Sequence, residues 1–146
     1  MVDRDWPDAR GVPMVDCFRK TFRGGREERT PPDPRQWRVT SPKAGAAGPL
    51  TVDFPKAMNY VLLQRMLQVS DGSRDVDGGV SVDLHETRWI FTPRQTWKTG
   101  DYHLVVNTAI EDLAGNHIGQ SFDIDVFERV TDHIAAATIS LPFSVR

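Results

Sequence analysis

From Trp37 onward the apolar residues recur at every second position, which is the period of side chains alternating across the two faces of a β-strand, not the 3.6-residue period of a helix. Leu50, Val52 and Phe54 alternate with Thr51 and Asp53. Val80, Val82 and Leu84 enclose Ser81 and Asp83, and Trp89 and Phe91 flank Ile90. Tyr102, Leu104 and Val106 form one face, as do Phe122, Ile124 and Val126 with Asp123 and Asp125 opposite, and Ala137, Ile139, Leu141 and Phe143 repeat the pattern. Turn-forming stretches separate these runs: "SPKAGAAGP" at 41–49, "SDGSRDVDGG" at 70–79, "TPRQTWKTGD" at 92–101 and "EDLAGN" at 111–116. Many short strands without long helices between them predict an all-β antiparallel sandwich or barrel. One interruption is expected: Met58, Val61, Leu62 and Met66 are spaced by three and four and predict a short helical turn whose stripe packs on the core.

The chain has 146 residues, of which 39% are hydrophobic and 26% charged, the make-up of one globular domain with a core of its own. No apolar run approaches the roughly 18 residues of a membrane span. A net charge of −2 supplies no general attraction for nucleic acid or anionic lipid. Cys17 is the only cysteine, so neither an intramolecular disulfide nor a thiolate cluster can form. The first residues, "MVDRDWPDARGV", carry charge where a signal peptide needs an apolar stretch.

The segment from Thr92 to Asn116 predicts a corner, a strand and a turn. A strand reaching Pro93 loses a ladder donor there and is expected to leave its sheet. Trp97, Gly100 and Tyr102 then fit a tyrosine corner, in which glycine eases the bend and the Tyr102 hydroxyl returns to upstream backbone. In "EDLAGN" the Asp112 side chain caps the turn, while Gly115 and Asn116 tolerate positive φ. A metal reading would recruit Glu111, Asp112 and Asn116, residue types that a turn also requires.

The stretches "LTVDFPKAMN" at 50–59, "RWIFTPRQTWKTGDYHLVV" at 88–106 and "EDLAGNHIGQSFDIDVF" at 111–127 together resemble a bacterial Ig-like domain of the surface-layer protein (SbsA-like) type. The similarity runs from Trp37 to Glu128 and is most specific in its "G-x-Y" strand and "D-x-A-G-N" turn. It implies an Ig-like β-sandwich with one short helical turn, found in secreted or surface proteins, often in tandem, with no shared catalytic residues. The residues it marks are structural: Trp89, Phe91, Trp97, Gly100, Tyr102, Asp112, Gly115, Asn116 and Phe122. By the same resemblance the location is extracellular, periplasmic or at the cell surface.

"DARGVPMVDCFRKTF" at 8–22 overlays "DLAGNHIGQSFDIDV" at 112–126 without a gap, matching Asp8 to Asp112, Gly11 to Gly115 and Phe18 to Phe122. Residues 1–23 are therefore expected to be the closing turn and strand of a preceding repeat, or a strand docked on the sandwich. Residues 24–35 read as a linker rich in proline, glycine and charge, 36–130 as the sandwich, and 131–146 as an extension with one strand. The partners implied are neighbouring Ig-like domains, or another copy of the chain through the N-terminal strand.

Sites of chemistry are sparse. His85, His103, His117 and His133 form no helical ligand pair. Asp71, Asp75 and Asp77 are the weak metal candidates, because one flexible loop offers several hard oxygens, yet their spacing is not that of an EF-hand. No nucleophile elbow or phosphate-binding glycine pattern occurs. No catalytic residue and no cofactor is expected. Arg19, Lys20, Arg23, Arg26 and Arg29 form a basic stretch diluted by Glu27 and Glu28, which reads as a solvated linker. The expected function is a non-enzymatic structural or adhesion module. The alternatives are a module binding carbohydrate or another envelope component through Trp6, Trp37 or the acidic loop, and an accessory domain of a larger hydrolase.

Overall fold

The structure is a computed structural model and describes Pro7, residues 10–13, residues 28–119 and residues 138–146. Its strands are β1 (Arg38–Thr40), β2 (Leu50–Asp53), β3 (Leu67–Ser70), β4 (Gly78–Asp83), β5 (Arg88–Pro93), β6 (Gly100–Asn107) and β7 (Thr138–Val145). One sheet has the order β1-β2-β5-β4 and the other β3-β6-β7, and every pairing is antiparallel. With the described strands lettered A to G along the chain, the layers read A-B-E-D and C-F-G, the strand order of a constant-type β-sandwich.

The alternation in the sequence becomes the inside and outside of this sandwich. Leu50 and Val52 on β2, Trp89 and Phe91 on β5, Tyr102, Leu104 and Val106 on β6, and Phe143 and Val145 on β7 all point into one buried cluster. Trp89 is fully enclosed, and its ring Nε1 donates to the Leu63 carbonyl at 3.0 Å. That bond ties the helical turn α1 (Tyr60–Leu63) to the core. Asn59 starts the turn by accepting the Val61 and Leu62 amides on its side chain, at 3.1 and 3.3 Å.

Several expectations need correction. The apolar stripe of the helical turn is buried only in part: Met58 is fully buried and Leu62 and Met66 are partly covered against the core, but Val61 is exposed and Leu63, outside the stripe, is fully buried. A single turn is too short for its periodicity to settle which way it faces, and the Trp89 bond decides. Pro93 still belongs to β5, opposite Gly78, because a proline fits an antiparallel ladder where no donor is needed. The stretch expected to extend beyond the sandwich supplies β7, paired with β6 from Asn107 opposite Thr138 to Gly100 opposite Val145. It is drawn in because Phe143 and Val145 complete the core on that side. The strand expected at Phe122, Ile124 and Val126, with Asp123 and Asp125, lies outside the described residues. So do Trp6, Cys17, Phe18, Phe22 and the basic positions Arg19, Lys20, Arg23 and Arg26.

Gly78 is needed for a steric reason. A Cβ on it would lie 2.4 Å from Cζ of Phe91 and 2.6 Å from the Thr92 carbonyl oxygen, whereas Gly79 has open space around it. Gly78→Ala is expected to cost about 1–3 kcal/mol through overpacking, with Gly79→Ala close to neutral by comparison. Denaturant unfolding of the two variants checks this, and equal losses would show that Phe91 yields freely.

Candidate functional site

The connection from β5 to β6 lies against the loop of residues 41–49: the Trp97 amide donates to Ala46 at 2.9 Å, the Gly45 amide donates to Trp97 at 2.8 Å, and the Trp97 ring Nε1 donates to the Gly48 carbonyl at 2.8 Å. Trp97 is thus buried structure with its polar edge satisfied. It meets Tyr102 edge-on, with centroids 5.2 Å apart, and Tyr102 stacks on Phe143 at 5.6 Å. The Tyr102 hydroxyl donates to the Lys98 carbonyl at 3.1 Å, the hydrogen bond of a tyrosine corner. Gly100 plays a smaller part than its residue type suggested. It opens β6 without a positive φ, and an added Cβ would only touch the Tyr102 ring at 3.8 Å.

Beside this corner the loops of residues 71–77 and 93–98 border an open cleft of about 500 Å³. Its rim carries both signs of charge, with Asp71, Asp75 and Asp77 against Arg74, Arg94 and Lys98. The acidic residues do not converge. Asp71 caps its own turn, accepting the Ser73 and Arg74 amides at 2.9 Å each, and these bonds hold its carboxyl below the ordinary carboxylate range. Asp77 faces Arg94 at 3.4 Å, and Asp75 bridges back to Ser70. Among the described residues no group of three or more His, Cys, Asp or Glu side chains is placed to hold a metal ion.

The opposite end of the sandwich holds a buried polar cluster. Asp112 is 3% exposed and Asn116 is fully enclosed. Asp112 Oδ1 accepts the Ala114 amide at 2.8 Å and the Asn116 amide at 3.0 Å. Its Oδ2 accepts Asn116 Nδ2 at 3.0 Å and lies 2.6 Å from Lys56 Nζ. Asn116 Nδ2 also donates to the Glu28 carbonyl at 3.0 Å. Lys56 Nζ donates to the Thr30 carbonyl and lies 4.0 Å from Glu28 Oε1, which itself accepts the Thr30 amide at 2.6 Å.

Backbone bonds close the same unit. The Asn59 amide donates to Glu111 at 2.9 Å, and the Met58 amide donates to Glu86 at 3.0 Å. The loops after β2, β4 and β6 are therefore joined to one another and to residues 28–30. Part of the stretch expected to be a linker is hydrogen-bonded into the domain. Gly115 adopts the expected positive φ, at 85°, but Asn116 does not; it serves through its amide nitrogen, which donates to both Asp112 and Glu28 in the buried site.

The charge of Asp112 is stabilised by specific donors. Burial raises the pKa of its carboxyl, and the hydrogen bonds from Lys56, from Asn116 and from the Asn116 and Ala114 amides outweigh burial and leave it below the ordinary value. The arrangement can fix a loop and a chain segment in place; its carboxylate is saturated with donors and aimed at no open space. Lys56, Glu28 and Thr30 were not singled out by the sequence, since a lysine after a strand and two residues in a proline-rich lead-in look like ordinary surface. The five-residue "DLAGN" turn was the one legible sign of the cluster.

No protein-family model, no curated protein and no solved structure matches this chain.

Asn116→Ala removes both side-chain donors from a closed site and is expected to cost about 1–3 kcal/mol in denaturant unfolding. Tyr102→Phe should cost about 1 kcal/mol. Since the Asp112 carboxyl is depressed in the folded state relative to an unfolded value of about 3.9, its contribution is present above about pH 4 and fades as pH falls through the folded value. Asp112→Asn should accordingly flatten the acid limb of stability between about pH 5 and pH 2, and a limb as steep as wild type would assign acid sensitivity to other carboxylates.

Proposed function

We propose that this chain is a non-catalytic, Ig-like structural or adhesion module of a secreted or surface-attached bacterial protein. Support comes from the constant-type strand order, from the tyrosine corner, and from the similarity of the "G-x-Y" and "D-x-A-G-N" stretches to bacterial Ig-like domains. Fold alone does not carry function, so the reading rests on one feature of the site. Glu28 and Thr30, where the chain enters the sandwich, are bonded to Asn116 and Lys56. Tension arriving from residues 1–27 is passed to the loops after β2 and β6 before it reaches the three-residue strand β1. A spacer or adhesive module needs such an anchor, because its work is to keep its shape while its ends are pulled.

The open cleft at the corner end favours one second reading, a module that binds an envelope polysaccharide. Arg74, Arg94 and Lys98 would meet acidic groups of the sugar there. Trp37 and Trp97 are buried and offer it no stacking surface. Retention on an acidic polysaccharide column that disappears in an Arg94→Ala, Lys98→Ala variant would favour this reading over the mechanical one.

The mechanical reading is tested by pulling the full chain between its ends at constant force. If the anchor gives way before the barrier at a cost of about 1.4 kcal/mol, Asn116→Ala should unfold about tenfold faster than wild type. Equal rates would mean that tension bypasses the anchor, and the reading would fail.

A further inference from the structure

Among the described residues, four strands end a sheet: β1, β4, β3 and β7. Three of them are protected by their sequence or length. β1 has three residues and β3 four, and β7 places Pro142 in its middle, where the missing N–H spoils a continuous edge. β4 differs. Its six residues, Gly-Gly-Val-Ser-Val-Asp, contain no proline, lysine or arginine, and among the described residues it is paired only with β5.

The direction of its free backbone groups follows from the ladder. The Arg94 amide donates to the Asp77 carbonyl at 2.9 Å, so alternation turns Gly79, Ser81 and Asp83 toward β5 and the amides and carbonyls of Val80 and Val82 outward. The Val80 and Val82 side chains pack on the core yet remain only partly covered. Among the described residues, this edge therefore leaves both backbone and apolar surface unfinished.

We propose that the β4 edge pairs with β4 of a second copy of this chain, antiparallel about a two-fold axis at Ser81, joining the two four-stranded sheets into one. In this register Val80 lies opposite Val82 of the other copy and the reverse, so the outward amides and carbonyls meet their counterparts. Asp83 falls opposite Gly79, which keeps the two carboxylates apart. The neighbouring register, centred on Val80, is disfavoured because it sets Asp83 opposite Asp77, and like charges across a ladder repel. An odd shift fails as well, since it would face outward groups with groups already bonded to β5. The contact is far smaller than a standard interface of about 1,600 Å², so the dimer is weak and concentration-dependent.

Sedimentation velocity on the full chain over a range of concentrations tests the pairing. Wild type should pass from monomer to dimer as concentration rises. Ser81 is exposed on the outer face, so Ser81→Lys and Ser81→Glu leave the core intact, which an unchanged circular dichroism spectrum verifies. Each variant alone should dimerise about tenfold or more weakly, and an equimolar mixture should recover dimer, because unlike charges then face each other. In a Cys17→Ser background, Ser81→Cys should give a disulfide-linked dimer under mild oxidation, since residues of a non-hydrogen-bonded pair approach within disulfide reach. A wild-type chain that stays monomeric, a dimer indifferent to Ser81→Lys, or failure of the mixture to recover association would each overturn the proposal.

Discussion

Neither of the two sheets can exist alone with its inner face in water, and the mutual cover of those faces sets every other feature of the fold. β2 and β5 offer Leu50, Val52, Trp89 and Phe91; β3, β6 and β7 answer with Leu67, Val69, Leu104, Val106, Phe143 and Val145. Burying a large apolar side chain contributes about 1.5–3 kcal/mol, and here those contributions come almost wholly from residues far apart in the chain. The connections must then cross between layers, and each crossing is where a polar backbone has to be satisfied away from the ladders. The Trp89, Trp97 and Tyr102 side chains contribute to this, each presenting its ring to the core and one donor to a carbonyl of a connecting segment.

The two ends of the sandwich solve this problem differently. At the corner end the loops are held by aromatic side chains and by bonds between backbones, and the charged groups outside them stay in solvent around an open cleft. At the other end a carboxylate, an ammonium and an amide are drawn inward and saturate one another. A buried polar cluster of this kind specifies geometry more than it adds stability, since desolvation offsets much of the attraction. Its geometric product is a fixed point of entry for the chain.

The hairpin joining β4 to β5 adds a local cost that the surroundings sustain. Leu84, His85 and Glu86 all adopt positive φ, at 53°, 53° and 61°, a region that side chains disfavour by roughly 1–2 kcal/mol each. The Asp83 carboxylate accepts the Leu84 amide at 2.7 Å, the Thr87 hydroxyl donates to Leu84 at 2.7 Å, and Glu86 receives the Met58 amide. This tight reversal ends β4 at Asp83.

Local pattern was enough to read strands β2, β4, β5, β6 and β7, the all-β class, the tyrosine corner and the turn built on Asp112 and Gly115, because a period of two, a Tyr two residues after a Gly, and an Asx turn are each written within a few neighbouring residues. Distant pairing was not readable. That Lys56 reaches Asp112, that Glu28 and Thr30 are bonded into the domain, that Leu63 and not Val61 is buried, and that residues 138–145 pair with β6 all follow from which surfaces meet once the layers close. A chain spells out its local preferences in order, but a contact between residues 56 positions apart is selected by the free energy of the whole enclosure, and no single stretch of sequence carries that sum.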